Sequence, residues 1–161
     1  MFARPLIDSI DFARNGREIC GEIQMAALPR LSNMLSNGDS ILTYKVSGVT
    51  EGDRFILSVT LEGQCHLRCQ RCMGDFIYPI ALTSRLQLVT AEELEALDGD
   101  DSIDGIEAES KLDVLSLVED EVFLGLPFAP KHSEGSCNAL IENLQKSVNP
   151  FSVLAGLKMK Q

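Results

Sequence analysis

The 161-residue chain has no tryptophan, two tyrosines and two histidines. So few aromatics leave no evident stacking platform for single-stranded nucleic acid. His66 and His132 both lie within a few residues of cysteines, which leaves no histidine for separate acid–base chemistry. There is no glycine-rich phosphate loop and no nucleophile elbow. No apolar run approaches the roughly 18 residues of a membrane-spanning helix. The start, Met1 to Asp8, lacks the run of about 7–15 apolar residues of a signal peptide. The expected compartment is therefore the cytoplasm, or an organelle interior for a chain trimmed of a transit peptide. Five cysteines, an odd number, argue against a fully paired secreted framework.

Bases are missing from one stretch altogether. Between Ala91 and Glu109 stand nine acids (Glu92, Glu93, Glu95, Asp98, Asp100, Asp101, Asp104, Glu107 and Glu109) and no Lys or Arg, so this segment holds all but one unit of the formal net charge of −10. The remaining body is near neutral. The plain reading of residues 91–109 is a solvated, flexible acidic loop. The sharper one is a lure for a basic partner such as a ribosomal protein.

What is present reads as one domain over residues 1–161, with 45% hydrophobic residues, enough chain to bury a core. Residues 2–11 have weak periodicity and suit an irregular strand or arm. Arg17 to Ile23 alternates loosely, as a short strand does. Leu28, Leu31 and Leu35 predict a helix over 25–35, with Pro29 in its first turn. Residues 41–49 and 55–61 are rich in β-branched and aromatic residues and flank Glu51-Gly52-Asp53, which predicts a hairpin. Phe76 to Val89 predicts another strand or a bent pair, with Pro79 at an edge or bulge. Lys111 to Leu126 predicts a helix opened by a Ser110/Asp113 capping box, with Glu119, Asp120 and Glu121 on its solvent side and Pro127 ending it. Short helices are expected at 138–146 and 149–158, the second with Asn149 as cap and Pro150 at its first position. The expected fold is α+β: an antiparallel sheet, barrel closure left open, with helices packed on it.

The chemistry centres on Cys65-His66-Leu67-Arg68-Cys69-Gln70-Arg71-Cys72. Cys69 and Cys72 form a Cys-x-x-Cys, whose tight turn aims two sulfurs at one point, for metal binding or dithiol exchange. A redox dithiol usually opens a helix, whereas strand patterning resumes after Cys72. A tetrahedral zinc site needs a second ligand pair, and His132 with Cys137 supplies one, C-x2-C…H-x4-C. Fifty-nine residues separate Cys72 from His132, so the halves must meet through tertiary structure. The candidate metal ligands are Cys69, Cys72, His132 and Cys137, with Cys65 and His66 as spare donors nearby and Cys20 as a core or surface thiol. Arg68, Arg71, Arg85, Lys45 and Arg54 are candidates for phosphate contact if they share a face, and ordinary solubilising charges otherwise.

Three segments resemble the YceD family, the large ribosomal RNA subunit accumulation proteins of bacteria and plastids. They are Cys69-Gln70-Arg71-Cys72 followed by Phe76; Asp113 to Glu121 with Leu126-Pro127, His132 and Cys137; and Asn149-Pro150-Phe151-Ser152-Val153-Leu154-Ala155-Gly156-Leu157-Lys158. Cys65 is additional to the family's usual Cys-x-x-Cys. The resemblance implies a cytoplasmic, non-enzymatic ribosome-biogenesis factor supporting synthesis, processing or accumulation of large-subunit (23S) ribosomal RNA. Its implied partners are that RNA or its processing machinery, not DNA or a membrane. Two alternatives stay open: a zinc- or thiol-dependent enzyme acting on RNA, and an acidic adaptor that binds a basic ribosomal protein.

Overall fold

The computed structural model describes residues 4–96 and 104–137. The helices expected at 138–146 and 149–158, and the middle of the acidic segment, lie outside the described residues. Strands dominate. In chain order the elements are β1 (Leu6–Ile7), α1 (Ser9–Arg14), β2 (Glu18–Gln24), β3 (Leu35–Asn37), β4 (Ile41–Glu51), β5 (Arg54–Arg68), β6 (Asp75–Val89), α2 (Ala91–Ala96), β7 (Asp104–Glu107), β8 (Leu112–Asp113) and α3 (Val114–Gly125).

The main sheet runs β2-β4-β5-β6-β7, with β3 continuing the β4 side of β5 at Leu67 and His66. All its pairings are antiparallel except β6–β7. β1 and β8 pair separately. Among the described strands the sheet stays open, with β2 and β7 at its edges, so no barrel closes. Two long hairpins form its centre. The first turns at Gly52-Asp53, where Gly52 has φ +61°, the conformation that a glycine-first two-residue hairpin loop demands. The second strand of this hairpin, expected over 55–61, runs on through Gly63 to Arg68, because Leu61, Cys65 and Leu67 keep the period-two alternation and are all buried. β6 is one continuous strand. Its partner β7 covers only Leu86 to Val89, so Pro79 sits on the half of β6 with no described neighbour on that side, where its missing N–H costs no ladder bond.

Helices α1 and α3 bury one face in the same core as the sheet: Phe12 and Ala13 of α1, and Val114, Leu115, Leu117, Val118 and Val122 of α3, with Val46, Leu57, Val59, Leu61, Leu86 and Leu88. α1 lies so close that a Cβ on Gly48 would fall 2.5 Å from Ala13 Cα.

Several expectations need correction. The described part of residues 2–11 holds an expected strand, β1, but also the start of α1, capped by Asp8, whose side chain accepts the Asp11 N–H at 2.9 Å. Residues 25–35 do not form an α-helix. A short 3-10 turn at Met25–Ala27 ends at Leu28, which the following Pro29 forces into an extended conformation (ψ 94°). Tight turns such as Leu31 N–H to Leu28 O and Met34 N–H to Leu31 O follow, so Leu28 and Leu31 are buried from turns rather than from a helix face. Within residues 91–109, read as a flexible loop, both ends carry regular elements. Thr90 and Glu93 cap α2 reciprocally (Thr90 N–H to Glu93 Oε2 3.0 Å, Glu93 N–H to Thr90 Oγ1 3.3 Å), a capping box inside the acidic run. β7 brings Ile106 against the core.

α3 starts at Val114, not Lys111, because Asp113 is itself the N-cap, its Oδ1 accepting from Leu115 N at 2.9 Å and Ser116 N at 3.2 Å. Leu126, before Pro127, turns out at ψ 142°. Glu119 and Glu121 do not face solvent: Glu119 is 2% exposed and its Oε1 accepts the Arg30 N–H at 2.6 Å. Of the three only Asp120 stays half-exposed, paired with the Arg30 guanidinium, which also lies over the Phe123 ring.

Candidate metal centre

The β5–β6 hairpin ends in a knuckle. After the closing pair Arg68–Asp75, Cys69 N–H donates to Gly74 O at 2.9 Å and Met73 N–H to Cys69 O at 2.8 Å. Met73 sits at φ 61°, a left-handed conformation that non-glycine residues adopt at a cost of about 1–2 kcal/mol. This turn aims Cys69 and Cys72 away from the sheet end. The loop after α3 arrives from the other side, tied by Gln70 N–H to Pro130 O at 2.8 Å.

Cys69, Cys72, His132 and Cys137 converge there, their donor atoms all within 4.8 Å of one another. Cys69 Sγ lies 3.8 Å from Cys137 Sγ, and His132 Nδ1 lies 3.4 Å from Cys72 Sγ and 3.7 Å from Cys137 Sγ. A tetrahedral zinc with Zn–S near 2.3 Å and Zn–N near 2.0–2.1 Å requires edges of about 3.8 Å between sulfurs and about 3.5 Å between sulfur and nitrogen. The donor set and its spacing therefore fit a structural zinc or a similar soft, tetrahedral ion. The Phe76 ring packs on the imidazole (centroids 4.9 Å apart, planes at 43°) and fixes its orientation.

The electrostatics favour thiolate at Cys69. Burial works against charge on Cys69, but N–H groups of the His132, Cys72 and Arg71 backbone hold its thiol down to about 5. Burial pushes the Cys137 thiol up, Arg71 pulls the other way, and the neighbouring Cys72 and Cys69 thiols add to the rise. Arg71 Nε donates to Cys137 Sγ at 2.9 Å, and its Nη2 donates to His132 O and Ser133 O, each at 3.3 Å.

The spare donors stay apart from the cluster. Cys65 points into the core from β5, opposite Tyr78, and burial pushes its thiol up to about 11. His66 lies on the other face of β5, and Cys20 is exposed on β2. Strand β6 follows Cys72 directly, so no helix N-terminus is available to activate a dithiol. Of the five basic candidates for phosphate contact, Lys45 pairs with Glu18 at 2.8 Å, Arg68 with Asp75 at 3.8 Å and Arg85 with Glu51, Arg71 is spent inside the cluster, and Arg54 pairs with no acid among the described residues. The residues that composition and spacing did not single out are Phe76 as a packing wall for His132, and Arg71 as a tie rather than a surface charge. An arginine between the two cysteines was the one available signal for the second.

Comparison with known proteins bears on this cluster. The family model for Large ribosomal RNA subunit accumulation protein YceD matches residues 57–158, which includes both halves of the centre and well over half the chain. The chain belongs to the YceD family. A relative described as Large ribosomal RNA subunit accumulation protein YceD, from Haemophilus influenzae, is 28% identical over 169 aligned residues, covering 96% of this chain and 95% of that protein. No solved structure matches. Among the described residues no helix is long and apolar enough to cross a membrane. In this YceD family member the Cys-x-x-Cys, His132 and Cys137 form one spatial group.

Proposed function

We propose that this chain is a cytoplasmic, non-enzymatic ribosome-biogenesis factor that supports accumulation of large-subunit (23S) ribosomal RNA. The observation that carries this is family membership across both halves of the cysteine centre, together with a full-length relative named for that role. In this reading the chain is one α+β domain over residues 1–161. Zinc is its structural metal, held by Cys69, Cys72, His132 and Cys137. Four protein ligands complete a tetrahedron and leave no open position for water or substrate, which favours a structural over a catalytic ion. The metal supplies a cross-link between the hairpin tip and the loop beyond α3; the chain's own residues do the rest.

Pairing of Lys45, Arg68 and Arg85 with acids favours a protein partner over a direct grip on RNA, because a paired base has less net charge to offer a phosphate. A basic ribosomal protein drawn to the acids between Glu92 and Glu109 is the proposed partner. Deletion of the gene tests the central reading. Unchanged levels of precursor and mature large-subunit RNA would sink it. Salt-sensitive capture of a ribosomal protein, lost when the acids at 92–109 are neutralised, tests the partner. RNA turnover by the pure protein, abolished by Cys69→Ser with the fold intact, would instead favour a metal- or thiol-dependent enzyme.

A further inference from the structure

We infer that Arg71 is a working part of the metal centre: the counter-charge of the metal–thiolate group and the clasp that sets its loop half against its hairpin half. This rests on the metal reading above. It concerns a residue that is not itself a ligand.

The geometry is specific. The guanidinium reaches across from the knuckle and uses two of its nitrogens on three acceptors of the opposite loop: Nε on Cys137 Sγ at 2.9 Å, and Nη2 on the carbonyls of His132 and Ser133. Two of those acceptors belong to ligand residues, and the third lies between them in the loop. Cys137 and His132 are therefore positioned relative to each other by a residue anchored between Cys69 and Cys72. All of these contacts are between protein atoms, and none of them occupies a position that a metal would take. The planar fork matters, since a lysine ammonium carries charge but cannot present the same rigid set of donors.

The charge balance points the same way. Three thiolates and one neutral imidazole around a divalent cation leave one net negative charge. Arg71 is the cation placed against it. A hydrogen bond from a cationic donor lowers the energy of the sulfur lone pair, which makes that thiolate less prone to protonation, alkylation and loss of the metal. Partners of this kind, just outside the ligands, typically change metal affinity by about 10–100-fold.

The test uses the full-length protein loaded with Co(II), whose thiolate-to-metal charge-transfer band reports directly on the sulfurs. Arg71→Gln and Arg71→Lys are compared with the parent for band position and for the rate of metal release to a chelator. The inference expects the band of Arg71→Gln to move to lower energy, with release faster by roughly tenfold or more. Arg71→Lys should restore most of the band position, because it returns the charge, but only part of the slow release, because it lacks the fork. A residue that merely packs would leave the band where it was. A parent-like spectrum and release rate in Arg71→Gln overturn the inference. Should Arg71→Gln fail to fold, Arg71→Lys decides: parent-like release overturns the clasp, and faster release supports it. A parent protein that takes up no Co(II) at all would refute the metal reading itself, which is a different result from either.

Discussion

Cys69 and Cys137 stand 68 positions apart in the chain, yet their sulfurs meet at 3.8 Å. One belongs to a hairpin turn and the other to a loop that only α3 can deliver. The contact therefore separates the clustered cysteines, the proposed ligands, from Cys65 and Cys20, which stand apart from the cluster.

Replacing Cys69 or Cys137 by Ser should remove the bound metal and lower the melting temperature in both variants by a similar amount, since either loss opens the same cross-link. Cys65→Ser should behave differently. It buries a hydroxyl in the core at a cost of about 1–3 kcal/mol, while metal content stays at the parent level. Metal analysis of protein purified without chelator, run beside thermal melts, checks both. Loss of metal in Cys65→Ser would mean the ligand set is misassigned.

Glu119→Ala should destabilise the fold by about 1–3 kcal/mol, because it leaves the Arg30 N–H without its acceptor and opens space under α3. Glu119→Gln keeps an oxygen at the same reach and should lose less than half as much. Urea unfolding of the two variants separates the hydrogen bond from the charge.

Met73 is 61% exposed and left-handed, so Met73→Gly gives up little packing and relieves the turn. The gain of about 1–2 kcal/mol is offset by about 0.5–1 kcal/mol of extra freedom in the unfolded chain. A small net stabilisation is expected, visible in the metal-free protein. A clear loss of stability would show that the Met73 side chain holds the knuckle.

Stability of the metal-free, reduced protein should rise from about pH 5 to the ordinary thiol range near 8.5, then fall. The Cys69 thiol is held down to about 5 in the folded chain, so the unfolded state binds more protons in that window and folding gains as pH climbs. Cys65 has the opposite sign: pushed up to about 11, it favours folding below the ordinary thiol range and loses that advantage as pH rises toward 11. Melting temperatures between pH 5 and 11 in chelator should trace this rise and fall. Cys69→Ser should flatten the lower limb.

Much of the sheet was legible in the residues. The alternation in 41–49 and 55–61 and the Glu51-Gly52-Asp53 loop pointed to a hairpin, and Pro79 to an edge or a bulge; it sits where β6 has no described neighbour on one side. The pairing of Cys-x-x-Cys with His132 and Cys137 was legible from ligand chemistry alone. What eluded the pattern has physical causes. Leu28, Leu31 and Leu35 share spacing with a helix, but a proline constrains the residue before it more strongly than three leucines recruit a turn. Glu119 looked solvated because a carboxylate in an acidic triplet usually is; its burial depends on a backbone N–H at Arg30 that no local pattern announces. Arg71 read as a phosphate contact or a solubilising charge because its reach to the His132 loop is a tertiary contact. The Thr90/Glu93 box was readable in principle, but the run of acids around it masked a helix start.

The two halves of the cysteine centre also impose an order on assembly. The knuckle can form as soon as the β5–β6 hairpin closes, using only neighbouring residues. His132 and Cys137 reach it only after α3 has docked and Pro127 has turned the chain back. A metal held by all four residues would bind only where both halves have met, and its binding energy would then stabilise the finished fold. A zinc held by these four residues would thus report on completion, since a chain lacking the α3 contacts would offer it only Cys69 and Cys72.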